Sequence, residues 1–118
     1  MLMDYLKFTK FLKNDFENSN NKFKSIAFYR SDLILIFIWF FILEKYYSKT
    51  PYSLEDLIND IPKKFASRPT IFKFINTAFK KSYLHKIKNP KDKRKFDLRP
   101  SKITIDEFEK WAKGFSGF

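Results

Sequence analysis

The 118-residue chain is 44% apolar and 20% aromatic, enough to bury one core and too short for two. It has no cysteine, which excludes disulfides and thiol chemistry, and two glycines, too few for multi-stranded β architecture or a phosphate-cradling loop. Its net charge of +11 is lopsided: residues 63–102 carry fourteen Lys/Arg against Asp92 and Asp97, and the remainder carries ten against eleven acids. Lysine enriched by codon bias alone would be spread evenly, so this concentration points to a polyanionic partner.

Residues 1–17 read as an amphipathic helix with Leu2, Tyr5, Leu6, Leu12 and Phe16 near one face and Phe8 and Phe11 beside it. Asn18–Asn21 reads as the loop that ends it. Residues 23–29 fit a strand or a helix. Ser31 or Asp32 then caps a helix to about Tyr47. Its apolar run, 33–43, covers roughly 16 Å, about half a bilayer core. It starts too late for a signal peptide, so the expected location is the cytoplasm, with no membrane partner.

Ser48–Pro51 is a connection with room for a very short strand. Ser53 caps the next helix, whose Leu54, Leu57, Ile58 and Ile61 repeat at helical spacing until Pro62. Ser67 caps another, tolerating Pro69 in its first turn. This helix turns Ile71, Phe74, Ile75, Ala78 and Phe79 inward and Arg68, Pro69, Thr70, Phe72, Lys73, Asn76, Thr77 and Lys80 outward. From Tyr83 the period drops to two. Tyr83–Lys88 and Arg94–Leu98 pair as a hairpin around the basic tip 89–93. A last helix, capped by Ser101 or Thr104, buries Ile105, Phe108, Trp111 and Ala112.

The expected fold class is therefore mainly α with a small β-hairpin, in winged helix-turn-helix order. Residues 1–118 read as a single winged-helix domain, with 1–30 as an N-terminal helix, connection and candidate dimerisation arm and 31–118 as the core. In this order helix 67–82 enters the major groove of duplex DNA and wing 88–95 rides on the minor groove or backbone. Ser67 and Thr70 offer hydroxyls at a helix N-terminus that favours phosphate. Arg68 and Lys73 suit guanine or phosphate, Asn76 suits adenine, and Phe72 suits a thymine methyl or ordinary edge packing. Lys63, Lys64, Pro69, Thr77, Lys80, Lys88, Lys91, Lys93, Arg94 and Lys95 complete the expected DNA-binding set, with Lys81 and Lys86 as further phosphate contacts.

The stretch from Ser67-Arg68-Pro69-Thr70 through Tyr83-Leu84 and Asn89-Pro90-Lys91-Asp92-Lys93-Arg94 to Leu98 resembles the recognition helix and wing of the MarR family of transcriptional regulators. The likeness covers about residues 53–99. It implies that Asp92 braces the wing, that Arg94 reaches the minor groove with Lys93 beside it, and that the chain dimerises through its terminal helices. Segments 1–17, 33–47 and 105–115 supply that homodimer's apolar surface. Family members usually have a glycine between recognition helix and wing, where this chain has Lys81-Ser82, and Pro100-Ser101 replaces a threonine-glycine step.

No enzyme is read. His85 is the sole histidine, no cofactor or metal motif is present, and Asp56 and Asp60 read as solvated neighbours. The competing function is a winged-helix module that binds an acidic protein or structured RNA.

Overall fold

All but one of the described helices begin where a short polar side chain takes up a free backbone N–H. A computed structural model of the chain describes residues 4–116; Leu2, placed above on an apolar helix face, lies outside them. Among the described residues the order is α1 (Tyr5–Lys22), α2 (Lys24–Tyr29), α3 (Leu33–Tyr47), α4 (Leu54–Asp60), α5 (Arg68–Lys80), β1 (Leu84–Lys88), β2 (Phe96–Pro100) and α6 (Lys102–Lys113). Asp4, Asp32, Ser53, Ser67 and Ser101 accept from the first turns of α1, α3, α4, α5 and α6. Only α2, which follows α1 directly at Phe23, starts without a side-chain cap. Ser53 and Asp56 close a reciprocal capping box.

α3 organises the interior. Its Ile38 and Ile42 join Leu57 and Ile61 around α4, Ile71, Ile75 and Ala78 of α5, and Leu84 and Leu98 of the hairpin. Leu35, Trp39 and Leu43, one to two turns apart on an adjacent face, pack with Phe23, Ile26 and Tyr29. Trp39 stacks on Tyr29 and meets Phe108 edge-on. A helix apolar all round is thus buried on two faces. A third stays open, with Leu33 79% and Phe40 54% exposed.

β1 and β2 pair antiparallel from Leu84↔Pro100 to Lys88↔Phe96. Ser48–Pro51 holds no strand; the strand-like pairing comes just after it, at Tyr52 and Ser53. Leu98 N–H donates to the Tyr52 carbonyl at 2.7 Å, and Ser53 bridges Asp97. The Tyr83 carbonyl accepts from the Tyr29 hydroxyl, the Thr104 hydroxyl and Ser101 N–H, joining α2, β1 and α6.

Several expectations are corrected. Asn18–Asn21 continues α1 instead of ending it, because Ser19 donates to Asp15 and Asn20 accepts from Arg30. These tertiary partners outweigh the loop preference of the asparagines. Segment 23–29 is helical apart from its first residue. The wing tip spans 89–95, longer than the five residues 89–93. On α6 Thr104 is buried and Ala112 is exposed, since the Tyr83 carbonyl draws the threonine inward.

α1 turns Phe8, Phe11, Asp15 and Ser19 toward its own chain and leaves Tyr5, Leu6, Leu12 and Phe16 exposed. It is held by Asp15, which accepts from Trp111 Nε1 at 2.9 Å, Arg30 Nη1 at 3.2 Å and Ser19 Oγ at 2.5 Å. Burial pulls the Asp15 carboxyl upward, but these bonds outweigh it and hold the group below its ordinary value. With the first half of α1 projecting, the molecule measures 50 × 29 × 28 Å with a radius of gyration of 15.8 Å. A compact chain of this length has about 13.5 Å.

Candidate nucleic-acid interface

The apolar stripe that docks α5 fixes which side chains remain outside. With Ile71, Ile75 and Ala78 buried, Ser67, Arg68, Pro69, Lys73, Asn76 and Lys80 are exposed, and Thr70, Phe72 and Thr77 are half-buried. Ser67 Oγ accepts from Thr70 N–H and shares a hydrogen with Thr70 Oγ1 at 3.0 Å, so both hydroxyls are engaged at the helix N-terminus. Arg68 Nη2 donates to Glu55 Oε1 of α4, and its guanidinium lies over the Phe72 ring. Phe72 is therefore part of a stack at the domain edge and is not a free aromatic. Lys63 and Lys64 stand exposed on the turn before α5, with Lys64 over Phe65.

The wing is braced by more groups than the sequence suggested. Asn89 Oδ1 accepts from Lys91 and Asp92 N–H, and its amide donates to Asp97 across the strands at 3.1 Å. Asp92 Oδ1 accepts from Arg94 N–H at 3.0 Å. Two short Asx turns and a cross-strand bond thus shape a tip that leaves Lys91, Lys93, Arg94 and Lys95 exposed.

Helix and wing meet along one strip. Strand register puts Lys86 and Lys88 on the same hairpin face as Leu98 and Phe96. The Lys86 ammonium sits 4.9 Å from the Phe79 ring centre and 5.7 Å from that of Phe96. A shallow cleft beside it is lined by Asn76, Lys80 and His85, and the next by Glu55, Arg94 and Lys95. Both clefts share Phe79 and Lys86, so the C-terminal half of α5, at Asn76 and Lys80, and the arms of the wing border adjoining clefts rich in cations. The charge of residues 63–102 does not converge completely. Arg99 lies on the opposite hairpin face, over Tyr46 of α3.

No protein-family model matches the sequence, and no curated protein matches it. Solved structures do. A Bacillus cereus ATCC 10987 protein described as a MarR-like transcription regulator aligns over 98% of this chain and 79% of its own, with TM-score 0.55 and 14% identity. A Thermotoga maritima transcriptional regulator aligns over 96% and 75%, with TM-score 0.56 and 18% identity. The chain has the winged-helix fold of MarR-like regulators.

In this MarR-like fold α4 and α5 form the helix-turn-helix, and β1 and β2 form the wing. Ser82, where the resemblance led us to expect glycine, has φ 62°, in the left-handed region that glycine favours. Ser82 and Tyr83 N–H donate to the Phe79 and Ala78 carbonyls, so α5 ends in a Schellman turn without its usual glycine. Asp56 and Asp60 do not share a site: Asp56 completes the α4 cap, and Asp60 accepts from the Tyr52 hydroxyl at 2.6 Å. Burial first, then that carboxylate, raises the Tyr52 hydroxyl well above its ordinary pKa. Among the described residues no group of three or more His, Asp or Glu is placed to hold a metal, and no helix is long and apolar enough to cross a membrane.

The contributions that sequence reading missed are those of Asn89 and Asp97 in the wing and of Glu55 beside Arg68. Asn89-Pro90 reads as a turn, but nothing local shows that its amide reaches Asp97. Glu55 reads as a first-turn acid favoured by the helix dipole, and only the packing of α4 on α5 reveals its partner.

Proposed function

We propose that this chain is a single-domain, sequence-specific duplex DNA-binding protein that acts as a transcriptional regulator in the cytoplasm. α5 enters the major groove, with Arg68, Lys73, Asn76 and Thr77 facing base edges, Phe72 backing Arg68, and Ser67, Pro69, Thr70 and Lys80 near the backbone. The wing, with Lys88, Lys91, Lys93, Arg94 and Lys95 and its brace Asp92, lies on the minor groove or flanking phosphates, and Lys63 and Lys64 neutralise phosphate beside the turn. The observation that carries this reading is the pair of adjoining clefts between α5, at Asn76 and Lys80, and the wing, at Arg94 and Lys95, with Lys86 shared by both.

The active species is a homodimer built from segments 1–17, 33–47 and 105–115. The projecting half of α1, with Tyr5 73% exposed, and the open face of α3 leave more apolar surface than one small monomer keeps in water. Phe108, Trp111 and Phe115 largely serve their own chain, packing on Trp39 and Phe11, so α6 supports this surface from beneath. Light scattering at the dimer mass supports this assembly; a clean monomer removes it and leaves DNA binding untouched.

Fluorescence polarisation with labelled duplex tests the interface. Sub-micromolar binding is expected, with a large loss when Arg68, Lys73, Lys93 and Arg94 are all replaced by Ala. Unchanged affinity would show that the assigned surface is wrong. Equal preference for heparin or structured RNA would favour the interaction-module reading.

A further inference from the structure

The geometry points to Glu55 as a positioning residue that aims Arg68 at a guanine in the major groove, making the interface selective at the expense of overall affinity. This rests on the DNA-binding reading above. Of the two acids in the first turn of α4, Asp56 is occupied by the capping box. Glu55 is outside the cap. It reaches across to α5, where it accepts from one Nη of Arg68 while the guanidinium lies 5.5 Å from the centre of the Phe72 ring.

The helix dipole accounts for an acid in the first turn of α4, but neither fold stability nor simple affinity accounts for its reach across to Arg68. The two side chains are 53% and 52% exposed, and ion pairs that open to water hold little of a fold together. Glu55 also lines the cleft that carries Lys86, Arg94 and Lys95, so its charge opposes any phosphate drawn to that surface.

What the pair does supply is orientation. A free arginine must give up rotamer freedom to present its planar fork to a base. Here a carboxylate grips one of five N–H donors and a ring covers one face of the plane. The remaining N–H groups are left to meet guanine O6 and N7 as a bidentate pair. Glu55 also repels registers in which Arg68 would merely neutralise a phosphate.

The test is a thermodynamic cycle on the full chain. A duplex is first selected from a random pool with the wild-type protein, and its guanine at the position relaxed by Arg68→Ala is changed to adenine. Affinities are then measured for the selected duplex, its G-to-A variant and poly(dA·dT), with wild type, Glu55→Gln, Glu55→Asp, Arg68→Ala and the Glu55→Gln/Arg68→Ala double variant.

Arg68→Ala is expected to cut discrimination at that guanine by roughly 5- to 150-fold. Glu55→Gln should tighten poly(dA·dT) binding by about 3- to 10-fold, from loss of one repelling charge, while lowering the guanine preference. Glu55→Asp, which keeps the charge but shortens the reach, should lower the preference without the gain in affinity. In the Arg68→Ala background, Glu55→Gln should leave discrimination unchanged.

The proposal is overturned if Glu55→Gln leaves the guanine preference intact, or if it lowers the preference equally when Arg68 is absent. A wild-type chain that binds no duplex overturns the DNA reading and this proposal together. Selective binding that is insensitive to Glu55 overturns this proposal alone.

Discussion

In the basic half of the molecule, α4 through β2, charged side chains stand outside an aliphatic core and most remain exposed. In the aromatic half, where α1, α2 and α6 meet one face of α3, charges hold the structure together. The arginines make the contrast visible. Arg30 is only 11% exposed in its side chain, bonded to Asp15 and Asn20 and stacked on Phe16 and Trp111. Arg94 is exposed, and it joins the bonding of the wing through its backbone N–H. The same residue type is a fastening in one half and faces solvent in the other, and burial distinguishes the two.

Emptying the interior tests whether the halves are one cooperative unit. Trp39→Ala is expected to cost about 3–5 kcal/mol and Leu57→Ala about 2–5 kcal/mol. Because α3 lines both clusters, each variant should show a single urea transition shifted to lower midpoint. Two separate transitions would mean that the halves fold independently.

A smaller effect isolates the fastening. Asp15→Asn should cost about 1–3 kcal/mol through its charge-assisted bonds, with a shift in Trp111 fluorescence as the indole's acceptor changes from a charged carboxylate to a neutral amide oxygen. The folded carboxyl titrates below its ordinary value. Its stabilisation is therefore complete above the unfolded pKa of about 4 and fades as pH falls through the lower folded value. Wild type and variant should differ most at neutral pH and converge in acid. A constant difference across pH would remove the charge from this account.

The smallest effect concerns the joint between α5 and the wing. Ser82→Gly should be neutral or stabilising by up to about 1 kcal/mol, whereas Ser82→Val should destabilise by about 1 kcal/mol or more, because a β-branched residue resists positive φ. Equal melting temperatures for both variants would contradict the left-handed turn.

α5 was legible because three local signals agree: the Ser67 cap, the inward spacing Ile71–Ile75–Ala78, and the change of period after Ser82. The Ser53 cap of α4 and the existence of the hairpin were legible on similar grounds, but the hairpin register was not, because the tip is two residues longer than 89–93. What stayed hidden depends on partners distant in sequence. Asn18–Asn21 has loop composition and remains helical through Asp15 and Arg30. Lys49 and Ser82 take the left-handed conformation at helix ends, where glycine is the usual occupant. The wing's basic tip was visible as composition, but the Asn89–Asp97 bond that shapes it was not, nor was the hold of Glu55 on Arg68.

The division of labour between the halves is tested most directly by the salt dependence of duplex affinity. If α5 and the wing neutralise about six phosphates, log Kd against log salt should give a slope of magnitude near 5. Lys93→Ala/Arg94→Ala/Lys95→Ala should reduce that magnitude by about 3 while leaving the melting temperature unchanged. A triple variant that keeps the wild-type slope and affinity would contradict the claim that these exposed cations exist to meet DNA.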